Sequence, residues 1–143
     1  MSPALLANLV LTLLLTGVIW TIQVVHYPLF AAVPSAELAG YARAHGRRIG
    51  RLVVPLMSLE LAAAVWLVLR PPPGVPPWAG WAGLALVCGI WLVTAAVFVP
   101  LHGRLASRAG AGDLKLLVLA NWCRTLGWSA RAGLLLWLAI GVG

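Results

Sequence analysis

Three histidines, one acid and two arginines lie in or at the ends of long apolar runs of this chain, and ionisable groups are costly in such surroundings. Histidine takes and returns a proton near neutral pH. A base of that kind can remove an acidic carbon-bound or phenolic proton, and a nearby cation can hold the oxyanion that results. His102 or His26 suits the first role. Arg124, with Glu60 to position it, suits the second. Asn121 and Gln23 offer hydrogen bonds to a carbonyl, and Tyr27, Trp20, Trp91, Trp122 and Trp128 offer walls for a flat aromatic body.

The elements that must carry these residues are read from composition. Of the 143 residues, 62% are hydrophobic and 9% charged, more apolar surface than one soluble core of this size can hide. About 20 apolar residues cross the hydrocarbon layer as a helix, and four runs have that length, at 4–27, 50–69, 78–99 and 114–140. The expectation is an all-α integral membrane four-helix bundle forming a single domain, 1–143. The first run is read as a mature helix rather than a signal peptide, since Met1 to Asn8 carries no Lys or Arg.

Within the spans the polar residues fall on stripes. At about 100° per residue, Thr12, Thr16, Trp20, Gln23 and Tyr27 share one face of the first span, with His26 beside it. Trp91, Thr94, Phe98 and His102 do the same in the third, and Asn121, Arg124, Trp128 and Arg131 in the fourth. Glu60 and Arg124 each lie about ten residues from the cytoplasmic start of their spans, so depth pairs them. Such a pair is either a structural salt bridge or part of a ligand cavity.

The net charge of +7 is placed as a topology signal and not as a nucleic-acid surface. Arg43, Arg47, Arg48 and Arg51 fall between spans one and two, and Arg104, Arg108 and Lys115 between spans three and four. The positive-inside rule then expects a plasma (inner) membrane protein with both basic loops cytoplasmic and both termini outside. Trp78 and Trp81 follow the Pro71–Pro77 hairpin as interfacial anchors. Ser35 is a candidate cap for a short interfacial helix carrying Glu37, Tyr41 and His45, with Tyr41 and His45 on one face. Cys88 and Cys123 read as small core-filling residues. The histidines, all near cytoplasmic helix ends, could converge on one pocket. No HxxxH pair, phosphate loop, nucleophile elbow or paired carboxylates are present, so no metal site is expected.

Val99-Pro100-Leu101-His102-Gly103-Arg104-Leu105-Ala106, followed by Asn121-Trp122-Cys123-Arg124-Thr125, resembles the closing signature of a family of small four-helix membrane proteins that includes the anthrone oxygenase-like proteins. The Gln23-Val24-Val25-His26-Tyr27-Pro28 end of the first span supports it. His102 stands where Asn is common in that signature. The resemblance implies oxidation of a polycyclic anthrone to an anthraquinone by molecular oxygen, without a tightly bound organic cofactor. The expectation is thus an oxidase or oxygenase-like protein whose partners are membrane lipid and a small hydrophobic ligand. A haem or quinone held by His26 and His102 is the cofactor-bearing variant. The alternative is a non-enzymatic scaffold or a transporter-like subunit, the latter needing a homo-oligomer.

Overall fold

The computed structural model describes residues 1–107 and 111–142, which places Arg108 outside the described residues. The chain is an all-α bundle of four long helices: α1 (Pro3–Phe30), α2 (Ser35–Leu69), α3 (Pro77–Ser107) and α4 (Ala111–Val142). The first three are long and apolar enough to cross a membrane. α1 packs against α2 and α4, and α3 packs against the same two, so α1 and α3 occupy opposite corners of the bundle. One end carries the termini and the proline-rich hairpin, and the other carries the arginine-rich segments. They are called here the hairpin end and the basic end.

Local chemistry sets the hairpin-end boundaries. Ser2 caps α1, accepting from the Leu5 N–H at 3.3 Å, and Pro3 takes the first helical position, where its missing N–H costs nothing. Between α2 and α3 the chain turns through Gly74 at φ 85°, a conformation that glycine adopts without penalty, and Pro77 starts α3.

At the basic end two helices run past prolines where the apolar spans were expected to stop. α1 continues through Pro28 and α3 through Pro100, each by one π-helical turn, Ile22–His26 and Thr94–Phe98. Proline removes a donor and crowds the carbonyl four residues earlier. The wider turn relieves this: the residue before each proline reaches five back, Tyr27 N–H to Ile22 O and Val99 N–H to Thr94 O.

The short interfacial helix is not a separate element. Helix α2 begins at Ser35 but runs unbroken for 35 residues, through Gly46, Gly50 and Pro55. At 1.5 Å per residue that is about 52 Å, well beyond a hydrocarbon layer of about 30 Å. Leu38 and Ala42 are buried with Phe98, Leu101 and Leu105 of α3 and Leu117 of α4, so the apolar face of this segment is taken up by the bundle itself. Ser35 does not cap it either. Pro34 occupies the cap position and its carbonyl accepts from the Glu37 and Leu38 N–H groups.

Cys88 and Cys123 are likewise not core residues. Both are free and exposed.

Candidate functional site

The deepest polar cluster lies toward the hairpin end and is built around Glu60, which is 1% exposed. Its carboxylate accepts from Thr12 Oγ1 at 2.7 Å, Trp128 Nε1 at 3.0 Å and Arg131 Nε at 3.1 Å. Arg131 Nε also reaches Thr12 Oγ1 at 3.1 Å, Nη1 donates to the Gly83 carbonyl at 2.6 Å and Nη2 to Asn8 Oδ1, while Asn8 Nδ2 donates to the Ala4 and Ala63 carbonyls. All four helices contribute, and both charges are neutralised and hydrogen-bonded, as a buried pair requires. Gly83 has a steric reason: a Cβ there would stand 2.8 Å from Arg131 Nη1.

The acid's partner is therefore Arg131 and not Arg124. Depth counted from the basic end misleads because α2 starts far earlier than its apolar run. Counted from the hairpin, Glu60 lies nine residues before Leu69 and Arg131 eleven before Val142, whereas Arg124 lies eighteen before. That sharper boundary carried the signal. Asn8 carried a signal as well, an amide in an apolar run four residues before Thr12 and on the same face, whereas Gly83 gave none.

A second polar cluster occupies the basic half. His26 Nε2 and His45 Nδ1 are 2.7 Å apart, and His102 follows, its ring centroid 5.9 Å from that of His45. The three histidines do converge. Because a neutral imidazole has one donor and one acceptor, the His26–His45 bond uses one function of His45 and leaves the other, at Nε2, buried without a partner. His102 Nδ1, Asn121 Oδ1, Arg124 Nε and Trp91 Nε1 are also buried without a partner among the described residues. Asn121 donates instead to Gln23 Oε1 at 2.8 Å, and Gln23 donates to the Val118 carbonyl at 3.4 Å. Tyr27 is buried against Phe30. Among the described residues, no group of three or more His, Cys, Asp or Glu side chains could hold a metal ion.

A groove of about 800 Å³ runs between α1 and α2 to this histidine pair. Leu13, Leu14, Gly17, Ile22, Ile49 and Leu52 wall it, and His26, Tyr41, His45 and Arg48 close its basic end. Leu14 and Leu52 are about half exposed, so the groove opens sideways on the bundle's outer surface, where lipid would lie. Gly17 makes its floor low, with nothing within 4 Å of where a Cβ would be. Tyr41 and His45 share a face here as their spacing implies, and the Tyr41 ring stacks 6.1 Å from His26.

The tryptophans do not form one aromatic box. Trp128 is buried and committed to Glu60. Trp20 and Trp122 meet edge to face at 5.7 Å on the outer surface, with Trp20 Nε1 donating to Ser129 Oγ. Trp91 is partly buried on α3. His26 and Arg124 do not share a cavity, since His26 lines the α1–α2 groove with His45 and Arg124 lines a separate cleft between α3 and α4; His102, the other base candidate, has its ring 6.3 Å from that of Phe98, over which Arg124 also sits. Comparison of the chain with protein-family models, with curated proteins and with solved structures returns no match.

Proposed function

We propose that this chain is a membrane-embedded oxidase or oxygenase-like enzyme that draws a flat, apolar aromatic or quinone-like substrate from the lipid into the α1–α2 groove. The observation that carries the reading is the histidine pair at the end of an apolar groove open to the side. Such a groove admits a ligand that never leaves hydrocarbon, and the His26–His45 pair is placed to take its acidic proton. Arg48 and the Tyr41 hydroxyl stand at the same end to meet the developing oxyanion.

For an anthrone the balance is one ring methylene and one O2 to one ring carbonyl and one water. The base takes a methylene proton, and the resulting enolate is what oxygen oxidises. The resemblance of the 99–106 and 121–125 segments to anthrone oxygenase-like proteins supports this substrate class, and the basic segments support a plasma-membrane orientation with both termini outside. A haem or quinone would mark itself by colour in the purified protein.

Oxygen uptake with an anthrone in mild detergent tests the reading. His45→Ala and Gly17→Leu should each lower the rate at least about tenfold, the first by breaking the histidine pair and the second by filling the groove. Uptake unchanged in both overturns it. One observation favours the scaffold reading: the Glu60–Arg131 cluster joins all four helices with every charge paired. If the whole polar interior serves that end alone, both variants leave every ligand assay unmoved.

A further inference from the structure

Arg124 plays no part in the groove chemistry. It is 7% exposed, and its guanidinium carbon sits 4.5 Å from the centre of the Phe98 ring and 5.2 Å from that of Trp128. Aromatic faces hold a cation but accept no full hydrogen bond from its fork. Among the described residues its buried Nε has no hydrogen-bond partner and no carboxylate pairs with it. A buried arginine in that condition is expensive in hydrocarbon unless a counterion arrives.

The cleft that Arg124 lines has about 640 Å³ between α3 and α4, and its other walls are apolar and mostly small, among them Ala82, Ala85, Gly89, Ile90 and Gly127. Ala85, Gly89 and Cys123 are exposed, so this cleft also opens on the outer face. Gly127 is needed for the close approach of α3, since a Cβ there would stand 3.1 Å from Ile90 Cγ1.

We infer that Arg124 is the receptor for a lipophilic monoanion, a carboxylate or phenolate carried on an apolar body, bound in the α3–α4 cleft. The site is distinct from the α1–α2 groove and stands whether or not the oxidase reading does. Three arguments select this ligand class. The planar guanidinium matches an oxyanion through two parallel hydrogen bonds. Apart from the weakly polar Cys123 thiol the other walls are apolar, so the rest of the ligand must be apolar. Arg124 lies thirteen residues into α4, about 20 Å from its basic end at 1.5 Å per residue, deeper than a phospholipid phosphate held in the headgroup layer reaches. An inorganic anion would have to shed its water to enter hydrocarbon, whereas a lipophilic acid crosses neutral and ionises against the arginine.

Equilibrium binding to the full chain in a non-ionic detergent tests this. The probes are labelled oleate with its methyl ester, and an ionised polycyclic phenol with its methyl ether. At least one anion should bind one-to-one and exceed its neutral partner at least tenfold, and the anion that does so identifies the source. Arg124→Gln should weaken that anion at least about tenfold. Gly89→Leu keeps the charge and adds bulk to the cleft wall at a position where nothing lies within 4 Å of a Cβ, and with the helical circular dichroism of the parent retained it should also weaken binding tenfold. Equal binding of anions and neutral partners overturns the proposal, as does binding that Gly89→Leu does not change. Both readouts decide the matter even where Arg124→Gln fails to fold.

Discussion

Replacing Arg131 by Met should be among the costliest single changes in this bundle, and the cost should vanish in large part when Glu60 is neutralised with it. The Arg131 and Glu60 side chains are each 1% exposed and meet at 3.1 Å. Arg131→Met deletes hydrogen bonds to Glu60, Thr12, Asn8 and the Gly83 carbonyl. At about 0.6 kcal/mol each, the average for interhelical bonds in membranes, these account for roughly 2.4 kcal/mol. The carboxylate then left with only Thr12 and Trp128 raises the total to about 3–5 kcal/mol, the usual cost of stripping one partner from a buried pair. In Glu60→Gln/Arg131→Met the stranded charge is gone, so the two changes should couple by about 2 kcal/mol or more. Arg124→Met supplies the control. It loses only its seats on Phe98 and Trp128, at about 0.5–2 kcal/mol, and should couple to Glu60→Gln by less than about 1 kcal/mol through the shared Trp128. Reversible unfolding in mixed micelles, followed by helical circular dichroism, reads all three single variants and the two doubles. If Arg124→Met is the costlier change and the one that Glu60→Gln rescues, the pairing described here is wrong.

Three further predictions follow from the packing. Gly83→Ala should destabilise by about 1–3 kcal/mol in the same assay, because the new methyl overlaps a guanidinium that four hydrogen bonds hold in place; a neutral result would mean that Arg131 is free to move. Asn121→Leu should cost about 0.6–1.7 kcal/mol by leaving Gln23 Oε1 without its donor, and Gln23→Leu in the same chain should add only the long 3.4 Å bond to the Val118 carbonyl, since the stronger bond is shared. Cys88→Ser and Cys123→Ser should each stay within about 0.5 kcal/mol, and both thiols should react with a lipophilic maleimide; a thiol that stays unlabelled until unfolding would contradict its placement on the outer face.

Composition and helical period determined much of this protein by themselves. In a chain 62% hydrophobic, four unbroken apolar runs of about 20 residues fit helices and not the short alternating strands of a barrel, so the four-helix bundle follows from run length without any tertiary knowledge. The polar stripes were legible for the same reason: Thr12 and Trp128 fall on inward faces, and His26, His45 and His102 gather at one end as their shared depth implies.

What only the tertiary structure decided is which of these groups meet. Arg124 and Arg131 stand seven residues apart, nearly two full turns, and so point the same way; a choice between them rests on the axial offset of α2 against α4, which neither helix encodes alone. The same holds for the reach of α2, whose first turns read as an interfacial segment until Leu38 and Ala42 find Phe98 and Leu101 to pack against. Prolines 28 and 100 ended the apolar runs in sequence, yet a single π turn before each let the helix continue, because a five-residue hydrogen bond was available where the four-residue one was blocked. Two lipid-facing cavities, one ending in histidines and one in arginine, exist only because α1 parts from α2 on one side and α3 from α4 on another. Periodicity specifies which face of a helix turns inward; the space between two faces depends on every side chain along both, and is settled only when the bundle closes.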